Sequence, residues 1–475
     1  MEEKSAERTS GSTVWLSEPP GVGGMLVTRD QVVRMLLGTT LGLHIILAVA
    51  GLALPFFFLV AEYLGLRRKD PDYLILARQG SKAFAAIFAI GAVTGTLVAA
   101  ELAILWAPFM TVASQVVILP FFIEGFAFLL EGAFIGMYLY GWDRFRNPWA
   151  HFLTGVPIAV ASAASGLLIT VVNAWMNAPD GFRLAGGRVV DVQPWKAFWN
   201  PAVLPEDSHV LFMSYAMVGM LLLALAARDL LGHPQRVAAT KAVVLSSLVA
   251  VVSLVFTIVT GDLSGKWLAL HQPEKLAAME GLFRTRGYAP EALGGIVSPQ
   301  HHTIYGAIDI PGLLSFLSFG RFSHPVEGLL RFPPSTWPPT TWVHLFFDTM
   351  VALGSLMLVV AAVVAYLGRR QRVWPRWLLG VAVAGGPAAV VAMECGWLTD
   401  EFGRQPWVVY EIMRVNAGIT QAPGIVPIGW TILVLLVLLV LLFLAAPYAV
   451  WRVIRHGGAT DGSGSGGSVT RAGLS

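Results

Sequence analysis

The chain has 475 residues, of which 56% are hydrophobic and 13% charged, with a net charge of +3. Ordinary soluble domains carry about 25% charged residues; a soluble fold could not hide this much apolar surface, whereas a bilayer serves as its solvent. The single cysteine, Cys395, excludes an intrachain disulfide framework and a multi-cysteine metal site, and no basic run with interleaved aromatics suggests nucleic acid.

An N-terminal segment, 1–35, opens with polar, Gly- and Ser-containing sequence. It does not read as a cleaved signal, because the first apolar run is too long and no small-residue cleavage site follows it. Six apolar stretches long enough to cross a bilayer fall within 36–261, at 36–66, 83–108, 116–140, 151–176, 207–230 and 241–261. A long connection, 262–340, follows. It is too polar and Pro-rich to face lipid and too long for a plain linker. Three more spans are expected within 341–451, at 341–367, 376–398 and 427–451, and then a flexible Gly/Ser-rich tail, 452–475. The expected fold is an all-α integral membrane bundle of about nine helices.

Positive charge sets the direction of insertion. One set of connections carries Arg67, Arg68, Lys69, Arg78, Lys82, Arg144, Arg146, Arg228, Arg236, Lys241, Arg369, Arg370, Arg372 and Arg376, and the chain end adds Arg452 and Arg455. The opposite short loops carry far fewer. The N-terminus and the 262–340 connection are therefore expected outside a prokaryotic cell (inner) membrane, and the C-terminus in the cytoplasm.

A charged side chain at membrane depth costs about 2.5–3.5 kcal/mol on insertion scales, so it usually has a partner or a task. The candidates are His44, Glu101, Glu124, Glu131, His209, Asp348, Met350 and Glu401. With the direction above, His44, Glu124, His209, Met350 and Glu401 all fall within roughly 15 Å of the outer boundary. Glu131 follows Glu124 by seven residues, on the same helix face and about 10 Å deeper, where the pair could form the upper end of a proton path. Taken singly, each position has a plainer explanation. A lone histidine is more often a hydrogen-bonded interior residue, Met350 alone would be packing, and either glutamate could pair with a buried base. His151, His233 and His456 lie near helix ends and are expected at the interface. His344 could be mistaken for a ligand. The convergence on one layer is what favours a redox site. With one cysteine in the chain, His and Met suit haem iron better than an iron–sulfur or copper–thiolate centre.

The run Gly396-Trp397-Leu398-Thr399-Asp400-Glu401-Phe402-Gly403-Arg404-Gln405-Pro406-Trp407 resembles the GW…E-[FYW]-GRQPW signature of cytochrome bd subunit I. In the same chain order, Ile123-Glu124-Gly125 with Leu130-Glu131-Gly132, Gly141-Trp142-Asp143-Arg144 and Asn173-Ala174-Trp175-Met176-Asn177-Ala178-Pro179 resemble further family segments. So do Gly261-Asp262-Leu263-Ser264-Gly265, the Lys275–Glu280 run and Ile310-Pro311-Gly312-Leu313 around the family's quinol-binding loop, the Q-loop. The resemblance spans about 30–450.

The resemblance implies a quinol:oxygen oxidoreductase that generates proton motive force without pumping. It implies His209 and Met350 as the axial pair of a low-spin haem b. His44 and Glu401 would be proximal ligands of a high-spin pair, haem b and haem d (or a third haem b), with the assignment between them open. Glu124 would lie beside the oxygen-binding haem as ligand or proton donor, and Glu131 on the proton route. Lys275 and Glu280 would line the quinol site, Trp397 would lie between haems, and Arg404 could pair with a haem propionate. Quinone, dioxygen, lipid and a smaller membrane subunit II would be the partners, with room for a small single-helix accessory subunit.

Three departures accompany the resemblance. Asp348 stands where some members have Arg, Glu101 stands where Gln is expected, and the Leu41–Ile45 segment lacks aromatic neighbours for His44. They keep open a divergent haem b electron-transfer protein without oxygen reduction. A different class, an ion or proton transporter, would use the same buried carboxylates at broken helices near the midplane.

Overall fold

The computed structural model describes residues 28–370 and 373–422, and within 424–445 all but 426, 433, 436, 439, 440, 443 and 444. In chain order the helices are α1 (Arg29–Arg68), α2 (Pro71–Leu105), α3 (Ala107–Val116), α4 (Ile118–Gly141), α5 (Pro148–Asn177), α6 (Pro194–Phe198), α7 (Val203–Gly232), α8 (Val237–His271), α9 (Pro273–Met279), α10 (Leu313–Phe319), α11 (Thr340–Arg369), α12 (Arg376–Gly403) and α13 (Val415–Gly418). Eight of them, α1, α2, α4, α5, α7, α8, α11 and α12, are long and apolar enough to cross a membrane, counted among the described residues. The ninth expected span, 427–451, is helical over 427–432, and 446–451 lie outside the described residues, as do the tail 452–475 with His456 and the N-terminal segment before residue 28.

The helices outrun their apolar stretches, and local chemistry explains the ends. Thr28 caps α1 in a reciprocal box with Gln31. Asp70 caps α2 with Pro71 at its first position, so that helix begins twelve residues before the expected 83 and carries Arg78 and Lys82 within it. Asn147 and Pro148 start α5 in the same way. The stretch between the second and third spans, expected as a loop, is the short helix α3. α8 runs to His271, so the first ten residues of the expected 262–340 connection are helical. α12 ends at Gly403, which puts Glu401 in its last turn rather than beyond it.

The spanning helices form two groups of four. α1 packs on α2 and α5, and α5 packs on α4; in the second group, α8 and α12 each pack on both α7 and α11. The groups join where α7 meets α1 and α5. A shared apolar core runs between them, with Phe57, Phe58, Phe84, Ile158, Met220, Leu223, Val243, Ala361 and Leu379 buried in it.

At one end, called here the loop face, the connection after α8 folds down as α9 and two nested hairpins. β3 (Glu291–Leu293) pairs with β6 (Ile308–Ile310), and β4 (Ile296–Ser298) with β5 (Thr303–Tyr305). Gly295, between β3 and β4, has φ +94°, and a Cβ there would lie 2.7 Å from Ile304 and 2.9 Å from the Ala307 nitrogen, so only glycine fits. Leu276, Phe283, Val297, Leu314, Leu329 and Val343 form a separate small core under this connection.

Candidate haem and quinol site

His209 sits in the second turn of α7. Its Nδ1 is 3.1 Å from the Thr257 carbonyl on α8, and since a carbonyl only accepts, Nδ1 carries the proton. Nε2 then keeps its lone pair. Gly261 leaves the ring room: a Cβ there would lie 3.2 Å from His209 Cε1. Across the second group, Met350 on α11 lies against α12, where a Cβ on Gly396 would come 2.9 Å from its Sδ.

His44 on α1 repeats the arrangement. Its Nδ1 is 2.7 Å from Thr94 Oγ1 on α2, and that hydroxyl donates its own proton to the Gly91 carbonyl at 2.9 Å. The histidine is therefore the donor, again through Nδ1, and Nε2 is open. Gly95 lies against the ring, with a hypothetical Cβ 3.1 Å from Cε1. Two residues before His44, Gly42 faces Trp397 and Glu394 of α12, at 3.5 and 3.4 Å from its hypothetical Cβ. Because Gly396 and Trp397 are adjacent, α12 sets His44 and Met350 at about the same depth.

Three carboxyl oxygens around these residues are buried without a hydrogen-bond partner among the described residues, Glu101 Oε2, Asp207 Oδ1 and Glu394 Oε1. The other oxygen of Glu101 takes the Thr40 hydroxyl at 2.9 Å. Sequence reasoning missed Glu394. Its signal was its place seven residues before Glu401, on the same face of α12.

Glu401 is held differently. Arg404 Nη2 donates to its Oε2 at 2.5 Å, and Arg404 Nη1 donates to Asn173 and Asn177 at 2.7 and 3.2 Å. The expected pairing of Arg404 with a haem propionate finds both Nη atoms already engaged, with Nε alone unpartnered. Asp400 accepts from Lys275, and from Asn173 and Asn177 at 2.7 and 3.1 Å, while Asn177 also donates to Glu206 at 2.9 Å.

Lys275 and Glu280, expected to line one site, belong to two separate clusters. Lys275 is buried in the Asp400 network. Glu280 is buried beside Glu291, with Asp348 near both. Burial and the negative charges of Glu291 and Asp348 hold the Glu280 carboxyl well above the usual range. Burial and Asp348 push Glu291 up to about 7. Asp348 accepts from the Gly294 nitrogen at 2.6 Å and lies 3.4 Å from His344 Nε2, so this departure from the family pattern fastens the hairpin. His344 faces carbonyl oxygens with both ring nitrogens, Met279 at 2.7 Å and Gly294 at 3.2 Å, so both nitrogens are already engaged.

On the seam between α4 and α5, Ser165 donates to Glu124 at 2.9 Å and Ser162 to Glu131 at 2.8 Å. Both glutamates thus face the same helix. His151, expected at the interface, is instead buried, bonded to Glu62 and to the Tyr138 carbonyl. His233 is exposed beside Asp229.

The family model for cytochrome bd terminal oxidase subunit I matches residues 32–458. The chain belongs to the cytochrome bd terminal oxidase subunit I family. It is 36% identical to the putative cytochrome bd menaquinol oxidase subunit I of Bacillus subtilis, over 82% of this chain and 88% of that one. It is 25% identical to the cytochrome bd-II ubiquinol oxidase subunit 1 of Escherichia coli, over 78% and 85%. The structure of the bd oxidase from Geobacillus thermodenitrificans superposes with a TM-score of 0.85 at 38% identity, covering 90% of this chain and 98% of that one. This chain is therefore a multi-pass membrane subunit of a bd-type quinol oxidase, a family that carries haem and works with a second subunit.

The donor set fits haem. Two histidines have Nδ1 tied and Nε2 open, as ligating imidazoles do, and each ring lies against a glycine that leaves it room. A thioether completes the set. Among the described residues, no three His, Cys, Asp or Glu side chains converge on a bare ion, whereas a macrocycle that brings its own four nitrogens needs only one or two protein ligands.

Proposed function

We propose that this chain is the haem-bearing subunit that takes electrons from quinol at the loop face and delivers them to dioxygen, with chemical protons drawn from the opposite face. The observation that carries the reading is the pair of open Nε2 atoms on His44 and His209, in the layer that also holds Met350, Trp397 and Glu401. His209 and Met350 would hold a low-spin haem b. His44 and Glu401 would hold the high-spin pair, haem b and haem d or a third haem b. The haems, when bound, would supply electron transfer and the reduction of dioxygen to water.

The chain's own residues supply position and protons. Thr257 and Thr94 orient the two histidines through Nδ1. Arg404 fixes one oxygen of Glu401, and the other would be the one to meet a haem iron. Trp397 fills the space between α12 and α1, where it would lie between the haems. Glu280 and Glu291 receive the protons released by quinol. A carboxyl poised near 7 both takes up and releases a proton at working pH. Lys275 holds α9 in place beside them. Glu131 and then Glu124 carry protons up the α4–α5 seam. Electrons and protons meeting from opposite faces separate charge without a pump. The loop face lies outside, following the basic residues of the other face, and the C-terminus lies in the cytoplasm. The relatives are named for menaquinol and for ubiquinol, so quinol is the substrate class. A smaller subunit II is the partner, with a single-helix accessory subunit where the complex has one.

A reduced-minus-oxidised spectrum of the purified complex, with haem extraction, tests this. Haem b bands with a red-shifted chlorin band, reduced by quinol and reoxidised by air, are expected. Haem b bands alone, without reoxidation, would leave the electron path and remove the oxygen reaction. A colourless complex would overturn the reading.

A further inference from the structure

At the end of the α4–α5 seam away from the loop face, three helices bring together a buried polar triad. Glu62 of α1, Tyr138 of α4 and His151 of α5 are 2%, 0% and 4% exposed. Tyr138 donates its hydroxyl to Glu62 Oε2 at 2.5 Å. His151 Nε2 lies 2.9 Å from the Tyr138 carbonyl and Nδ1 lies 2.7 Å from Glu62 Oε1.

Donor and acceptor accounting fixes the protons. The Tyr138 carbonyl only accepts, so His151 Nε2 carries a proton. A bare Nδ1 and a bare carboxylate oxygen would repel at 2.7 Å, so one more proton lies between His151 and Glu62. The pair is either imidazolium with carboxylate or imidazole with carboxylic acid, and neutral in both forms. It stores one transferable proton in an apolar setting, enclosed by Trp142 and Phe145, whose rings lie 4.5 and 5.8 Å from the imidazole. Once that proton leaves, a carboxylate remains, and the Tyr138 hydroxyl already donates to it.

The triad is in line with the rest of the seam. Tyr138, Glu131 and Glu124 follow one another at intervals of seven on α4, which keeps them on one face with steps of about 10 Å. α5 presents His151, Ser162 and Ser165 to the three levels in turn. Beyond the triad stand Asp143, 72% exposed at its side chain, and Arg78, which binds it at 2.8 Å. A polar exit to water therefore lies just past the enclosing rings.

We propose that Glu62 and His151, supported by Tyr138, are the proton-loading station of this oxidase at the face opposite the loop. The pair gives one proton up the seam towards Glu131 and regains one from water on its own face, returning to the starting state with no net change. This rests on the proposed use of Glu131 as a proton carrier and on the proposed orientation.

The test uses the complete complex, in detergent and in liposomes. Glu62→Gln accepts from Tyr138 and donates to His151 Nδ1, so it preserves the shape and hydrogen bonds but holds no transferable proton. Steady-state oxygen consumption and proton uptake from the opposite face should fall by about tenfold or more. Haem content, optical spectra and anaerobic reduction by quinol should match the parent. Glu62→Asp, shorter but titratable, should recover turnover above the Gln variant. A structural role predicts the reverse order, and that order, or a Glu62→Gln complex turning over like the parent, overturns the proposal. If Glu62→Gln does not assemble, His151→Gln decides on the same readouts. Glu131→Gln separates the two ideas. Slow turnover there with normal turnover in Glu62→Gln removes only the station, whereas normal turnover in both removes the α4 route itself.

Discussion

At the loop face His344 meets carbonyl oxygens with both ring nitrogens, whereas His44 and His209, within the bundle, have only Nδ1 tied and keep Nε2 open. The same contrast runs through the acids. Asp400 at the surface end of α12 is saturated by Lys275, Asn173 and Asn177, while Glu394, six residues deeper, has a buried oxygen with no partner among the described residues. Residue type does not distinguish the two regions. What separates a structural histidine from a ligand is whether the second nitrogen is already used, and a buried open valence is costly unless something fills it.

Exchanging the two kinds of histidine should give the largest effect. His209→Ala or His44→Ala should each lose a haem, by pyridine haemochrome assay, and nearly all oxygen consumption, a larger loss than the ~10–100-fold typical of outer-shell partners. His344→Gln should keep every haem. Loss of haem from the His344 variant would break the distinction. A smaller effect tests the saturated network. Arg404→Ala leaves Glu401 without its buried counter-charge and Asp400 with Lys275 alone, and should cost about 3–5 kcal/mol, read as a lower unfolding midpoint of the complex. An unchanged midpoint would show that the network contributes little to stability.

The smallest effect concerns pH. Folding raises Glu291 from 4.5 to about 7, so the folded chain binds the extra proton between those values. The stability it contributes is full below 4.5 and is lost as pH rises through about 7. Protease resistance of the 272–339 connection should therefore fall across that window, and Glu291→Gln should flatten the profile. A parent profile that rises with pH would contradict the sign.

The bundle and its polar layer were legible because hydropathy and basic residues report on the bilayer directly. Helix ends were less so. Arg78 and Lys82 interrupt the apolar run of α2, and the cap at Asp70 marks the start that hydropathy misses. The ligand candidates could be read from side-chain chemistry and depth. The separation of Lys275 from Glu280, only five residues apart, could not, because it depends on Asp400 and Glu291, which come from other elements. Glu62 was invisible for the same reason. A lone glutamate near a helix end looks like an interfacial charge until Tyr138 and His151 are brought to it.

Biogenesis inherits a fixed order from how the connection is fastened. Gly294 is tied to Asp348, 54 residues later in the chain, Val297 accepts from Thr341, and Lys275 meets Asp400, 125 residues later. Each anchored residue of the connection is synthesised before the residue that holds it, and Asp400 is made last of all. Domains emerging from synthesis generally fold N-terminal first, yet here the connection cannot lock until α11 and α12 are in place. The last helices of the second group therefore act as the latch, and nascent chains truncated before Asp400 would carry the whole connection with Lys275 still unpaired by its carboxylate.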